Sequence, residues 1–220
     1  MIWVYLAAAI AIFIKLLLAP DPVLETGEIS LVELIVADSG VPNAVSGIIF
    51  RNRLYDTIFE VVVFTISIMG VRFLLADETP SPTVYQFTDS PSIVLTRLGA
   101  TIAAIIGIEL AIRGHLSPGG GFAAGVAGGT AIGLIAITSS SELMEALYKR
   151  WKAATLEKVS VLIFIGIAGL SLLGWQLPMG EVDTLLSGGW IPVLNVLVAL
   201  KVSLGAWAAV LIFIRYRGLL

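Results

Sequence analysis

Lys201 lies roughly 11 residues into the apolar run 190–214, or about 16 Å along a helix that rises 1.5 Å per residue, close to the middle of a span. An ionised group at that depth costs roughly 2.5 to 3.5 kcal/mol on insertion scales, so it must face protein or water and find a partner. Desolvation disfavours the ammonium unless that partner is anionic. A lysine able to lose its proton would serve as a relay element; a fixed lysine–carboxylate pair holding two helices or subunits together is the other reading, and both remain open. Glu60 follows Asp56 by four residues, which puts both carboxylates on one helix face. Asp56 can simply cap the helix, where an anion is favoured. Glu60 is a turn deeper and is a candidate for an ion path. Glu109 stands four residues before Arg113, a spacing that allows an intrahelical ion pair. Lys15 and Arg97 lie near the ends of their apolar runs, where their long side chains can snorkel to the interface.

A second constellation is the turn RGHLSPGGGF, from Arg113 to Phe122. Its Gly119, Gly120 and Gly121 open a helix and could present backbone N–H groups to an anion. The Lys-Ser/Thr pair of a nucleotide-binding loop is missing. Pro118, with Gly114 and the three glycines, is better read as permitting a sharp turn between close helices. His115 is a lone histidine at the membrane edge, able to titrate near neutrality or to act as a hydrogen-bonded structural residue.

These residues need elements to hold them, and the composition says what kind. The 220-residue chain is 58% hydrophobic and 13% charged, with a mean hydropathy of +0.99, against about 25% charge in soluble domains. Bilayer is its solvent. Spans need about 20 mostly apolar residues, and six windows approach this: 2–19, 57–76, 94–113, 121–138, 159–176 and 190–214. The first lacks the basic flank of a signal peptide and is read as a membrane helix. The piece 41–50 is too short to span and suits an interfacial or re-entrant position. Residues 77–92, with three prolines and no lysine or arginine, form a linker between a two-helix unit (1–76) and a four-helix unit (93–220). The expected fold is therefore an all-α integral membrane bundle of about six transmembrane helices.

Small residues recur every four positions in two of these windows, as Gly99, Ala103, Gly107 and Ala111, and as Gly121, Gly125, Gly129 and Gly133. In lipid, helices associate through close backbone approach across such faces, so the two windows are expected to zip into an antiparallel hairpin. The densest cationic loop is 139–158, with Lys149, Arg150, Lys152 and Lys158; with Arg215 and Arg217 it makes one side the more cationic, hence cytoplasmic, and turns the 114–120 loop outward, while Arg51 and Arg53 oppose this. The net charge of −3 and scattered basic residues imply no nucleic-acid partner. The absence of cysteine excludes iron–sulfur clusters and thiolate metal sites from this chain, and one histidine cannot ligate a haem from both sides. No cofactor and no metal is expected, and any redox chemistry would belong to partners.

The stretch RGHLSPGGGFAAGVAGG resembles the signature of the B subunit, or MnhB family, of Mrp-type multisubunit cation/proton antiporters. NVLVALKVSLGAW, residues 195–207, resembles the last helix of that family and of the related subunit in archaeal membrane-bound hydrogenase and sulfane-sulfur reductase complexes. Further upstream, NAVSGIIFRNRLYDTIFEVVVFTISIMGV, residues 43–71, resembles the DTxxE segment at the C-terminal end of the antiporter's A subunit, matching at Asp56, Thr57 and Glu60. Joining the two units in one chain departs from the usual lone four-helix subunit, and implies a shorter A subunit. The resemblance implies a multi-pass subunit of the prokaryotic plasma membrane, a transporter component rather than an enzyme. Its implied partners are large complex-I-like antiporter subunits and small helical ones, with Na+ and H+ as transported ions. It further implies that Glu60 lies on an ion path, whereas Lys201, Glu109 and His115 rest on their own chemistry. The alternatives are a membrane-arm subunit of a complex-I-related redox complex and a purely structural scaffold.

Overall fold

A computed structural model describes residues 30–218 together with Ile10 and Ile14; apart from those two residues, the expected span 2–19, including Lys15, lies outside the described residues. The chain divides into two compact units, Met1–Leu34 and Ile35–Leu220. The helices that carry the polar residues belong to the second.

In chain order the helices are α1 (Leu31–Ser39), α2 (Ala44–Gly47, continued by a wider turn over Ile48–Asn52), α3 (Leu54–Leu74), α4 (Ser90–Arg113), α5 (Gly121–Ala136), α6 (Ser141–Arg150), α7 (Ala153–Leu172) and α8 (Ile191–Arg217). Among the described residues all regular structure is helical, as a chain surrounded by lipid requires, because a helix satisfies its backbone groups internally. Among the described residues, four helices, α3, α4, α7 and α8, are long and apolar enough to cross a membrane, and a fifth span exists if the bent pair α1 and α2 counts as one. The chain is thus a multi-pass membrane protein. Helix α5 has 16 residues, about 24 Å at 1.5 Å per residue, and falls short of the 121–138 window.

Local signals set the helix starts. Asp89 caps α4, its carboxylate accepting from Ser92 N at 3.0 Å, and Ser140 caps α6, accepting from Leu143 N at 3.3 Å. The expected linker runs as a bonded strap. Ser81 N donates to Arg215 O at 2.9 Å, Tyr85 N to Gly218 O at 2.7 Å and Phe87 N to Ile137 O at 3.0 Å. One correction concerns residues 139–158, read from the sequence as a cationic loop. They fold into α6 and the first turns of α7, reversing at Lys152, whose left-handed φ of 48° is a strained conformation for a side chain with a Cβ. A serine cap and an amphipathic pattern make α6 a helix despite its charge, and the reversal starts α7 six residues before the 159–176 window expects.

Helix α8 is the hub. Its Leu194, Val198 and Val202 join Val61 of α3 and Phe164 and Ala168 of α7 in the main core. The small-residue ladder requires a second correction. A Cβ added at Gly121 would stand 2.5 Å from Asn195 O, at Gly125 2.4 Å from Val202 Cβ, and at Gly129 2.7 Å from Ala206 Cβ. That face of α5 therefore receives α8, not α4. Gly107 does face α5, 3.1 Å from Ala124 O and Gly128 N, and Gly99 approaches Leu134 at 3.4 Å, whereas Gly133 faces open space. A period of four shows that a close approach exists but not which neighbour makes it.

Candidate functional site

The site grows from the early start of α7. Because that helix begins at Ala153, Glu157 lies inside it, on the face shared with Ser160, Phe164 and Ala168, all buried. This face meets the middle of α8, where Lys201 is 1% exposed. The Lys201 Nζ donates to Glu157 Oε1, forming an ion pair enclosed in the apolar core. Helix α3 completes the enclosure, with the Phe64 ring centroid 4.9 Å from the ammonium, placing its negative π-face toward the charge. Room for this packing comes from Gly205, one turn along α8. A Cβ there would meet Phe64 Cε1 at 2.5 Å and both Lys201 Nζ and Glu157 Oε1 at 3.4 Å. Ser160 Oγ donates to Glu157 O at 2.7 Å, satisfying its own hydroxyl without competing for the carboxylate.

Tyr148 of α6 lies on the side where α7 begins. Its ring meets Trp207 of α8 edge-on at 5.3 Å, and neither its hydroxyl nor the Trp207 Nε1 has a hydrogen-bond partner among the described residues. Burial pushes the Tyr148 pKa up, the charge of Arg72 opposes this, and that of Glu157 adds to it, so the tyrosine stays protonated. Chemically, the arrangement is a carboxylate and an ammonium sharing a proton-bearing contact in low dielectric, with a protonated hydroxyl toward one end of the bundle.

The turn at the opposite end is held by neutral groups. Asn43 Nδ2 donates to Gly114 O at 2.7 Å and Ser117 O at 2.8 Å, and Ser46 Oγ donates to Gly114 O at 2.7 Å. Asn195 Nδ2 donates to Leu110 O at 3.0 Å and Ala111 O at 2.7 Å, satisfying carbonyls that end α4. Gly114 must be glycine, since a Cβ would lie 2.5 Å from Leu110 O and 2.7 Å from Asn195 Nδ2. Gly119 and Gly120 supply the positive φ values of 146° and 99° that bring the chain into α5. His115 is fully buried, with Nε2 3.4 Å from Thr184 O, while Asn43 N donates to its backbone oxygen at 3.3 Å. Burial lowers the His115 pKa, opposed by the nearby carbonyls of Thr184 and Leu185, so its ring is neutral at physiological pH.

The remaining candidates do not converge on either region. Asp56 pairs with Arg53 at 2.5 Å and Glu109 with Arg113 at 3.4 Å, in each case on the same helix or its first turn and partly or largely exposed. Glu60 is exposed on α3, one turn before Phe64. Glu157, Asn43 and Asn195 are the positions in these two regions that sequence reasoning missed. Glu157 was hidden by a helix boundary, although Ala153, Glu157, Ser160, Phe164 and Ala168 repeat at helical spacing. Asn195 stands six residues before Lys201 in the same apolar run, and the same rule that singles out an ionisable group there applies to a buried amide.

Long apolar helices gathered around a buried lysine–carboxylate pair define an integral membrane protein that keeps charge within its span. The chain belongs to the family of domains related to the MnhB subunit of Na+/H+ antiporter, whose model matches residues 91–208. The matched stretch includes Glu157, Asn195, Lys201 and the whole 113–121 turn. An uncharacterised protein of Methanocaldococcus jannaschii is 28% identical, with 75% of this chain and 74% of that protein covered. Among solved structures, a chain of the membrane-bound sulfane sulfur reductase, an archaeal respiratory membrane complex, has the same fold with a TM-score of 0.65, 23% identity and 97% of both chains covered. A chain of the Mrp complex from Dietzia sp. is similar with a TM-score of 0.58 and 23% identity; 94% of this chain matches 25% of that one.

Proposed function

We propose that this protein is a membrane subunit of a multisubunit monovalent cation (Na+)/proton antiporter, acting as a transporter component in the assembled complex, with the Glu157–Lys201 pair as its proton-holding centre. The observation that carries the reading is that pair, enclosed by α3, α7 and α8 within the family-matched residues. Protonation of Glu157 from one side releases the lysine charge, which must then lose a proton or find another anion, so the pair couples proton gain to a redistribution of charge. Large complex-I-like subunits and small helical ones are the partners, in a prokaryotic plasma membrane. This reading keeps the two-helix unit to residue 76 and the four-helix unit from residue 93 as functional modules. Glu60, on an exposed membrane helix face, would extend an ion path into a neighbouring subunit.

Sodium-dependent proton exchange in inverted vesicles tests the assignment. Lys201→Arg preserves the ion pair but holds its proton too firmly to release it, so the assembled complex should lose exchange by about a hundredfold or more, the lower end of the typical size for a general acid–base group. Wild-type exchange by Lys201→Arg would reduce the pair to a scaffold, and full exchange by Glu60→Gln would remove Glu60 from the path. A second reading, a subunit of a complex-I-related redox complex, is favoured by the full-length match to the sulfane sulfur reductase chain. Co-purification of cysteine-rich, cluster-bearing subunits with this chain would select it.

A further inference from the structure

A cleft of about 480 Å³ opens where the ends of α3, α6 and α8 come together; neither Glu157 nor Lys201 lines it, and Tyr148 stands between it and that pair. Its rim holds Arg72, in the last turn of α3, Lys149, in the last turn of α6, and Arg215, in the last turn of α8. Glu145 is the one carboxylate among its lining residues, 3.4 Å from Lys149 and 3.9 Å from Arg215, leaving an excess of two positive charges. Arg72 has no carboxylate partner among the described residues. The floor is apolar, made by Ala208, Leu211 and Ile212 of α8. Ala208 lies seven residues before Arg215, about 10 Å deeper along the helix at 1.5 Å per residue. Arg72 and Arg215 therefore sit at the ends of spanning helices, at headgroup level, with Lys149 supplied beside them by the short α6, and the apolar lining runs from them toward the bilayer interior.

We infer that this cleft is a binding site for an anionic phospholipid, with the phosphate between Arg72, Lys149 and Arg215 and an acyl chain along Ala208, Leu211 and Ile212. Cationic pockets between membrane helices at the interface suit lipid headgroups, and the guanidinium groups of Arg72 and Arg215 can each grip two phosphate oxygens. The apolar floor separates this from a site for free phosphate, which would gain nothing from it. A neighbouring subunit's acidic side chain would match the charge but leave the 10 Å channel unfilled.

The test is native mass spectrometry of the intact complex, purified in mild detergent and titrated with phosphatidylglycerol or phosphatidylcholine. Phosphatidylglycerol should bind in preference, and each of Arg72→Gln, Lys149→Gln and Arg215→Gln should weaken it about fivefold, since each basic residue at the surface contributes about that factor. Glu145→Gln, which removes the opposing charge without shortening a side chain, should strengthen binding. Equal binding of the two lipids, or phosphatidylglycerol occupancy unchanged in all four variants, overturns the site. Full displacement of phosphatidylglycerol by millimolar inorganic phosphate would overturn the lipid in favour of a free anion. Failure of these tests would leave the exchange results on Lys201 untouched.

Discussion

The two buried polar regions solve one problem in opposite ways. Near the middle of α8, Lys201 and Glu157 form an ion pair in apolar surroundings, with the Phe64 ring against the lysine. At the other end, Asn43, Asn195, Ser46 and His115 tie the 113–121 turn with neutral donors aimed at backbone carbonyls. A neutral amide on a carbonyl gains modestly and has one stable state. A buried ion pair carries a large desolvation cost and can often be replaced by apolar residues at no loss of stability, so its presence is weak support for a purely structural role. The contrast agrees with a rigid turn and with the proposed role of the α7–α8 pair in holding a proton.

Breaking the contrast should have unequal effects. Glu157→Leu leaves the Lys201 ammonium buried and alone, at a cost of about 3 to 5 kcal/mol, and should abolish assembly of the complex on a blue-native gel. Wild-type assembly by that variant would mean the charge finds another partner, and would weaken the case for an isolated pair. Asn195→Leu strips two α4 carbonyls of their donor and should cost about 1 to 3 kcal/mol, lowering the thermal midpoint while exchange per assembled complex stays intact. A large loss of exchange at full assembly would merge the two regions into one functional unit. The smallest effect is expected from His115. Its folded pKa is depressed, so the unfolded chain binds the proton more tightly, and the stability it contributes is present above the unfolded value of about 6.5 and lost as pH falls through the lower folded value. The thermal midpoint should therefore fall as pH drops below about 6.5, and His115→Gln should flatten that slope; an equal slope in the variant would place the titrating group elsewhere.

How much of this was legible beforehand differs between the regions for physical reasons. Hydropathy located the spans because lipid imposes a length on them, and depth alone singled out Lys201. Its partner stayed hidden because Glu157 precedes the apolar window by two residues and reads as loop until Lys152 reverses the chain. The turn motif announced its shape through Gly114, Pro118 and the three glycines, but the amides that clamp it come from 71 and 84 positions away, separations that no local pattern encodes. The expected hairpin of α4 and α5 forms, with Gly107 and Gly99 against α5, but the face of Gly121, Gly125 and Gly129 receives α8, since the same period can serve either neighbour. Glu60 stood out by its position a turn into its helix, and it is exposed on α3 rather than buried in the core of this chain.

The most direct test replaces the pair as a unit. In Glu157→Gln combined with Lys201→Met, neither charge is left unpaired, so assembly should match wild type. Sodium-dependent proton exchange measured in inverted vesicles at equal complex content should then be lost or fall by at least about a hundredfold, the lower range for removing a proton-transfer group. Exchange at the wild-type rate in that assembled double variant would contradict the account, leaving Glu157 and Lys201 as a strut between α7 and α8.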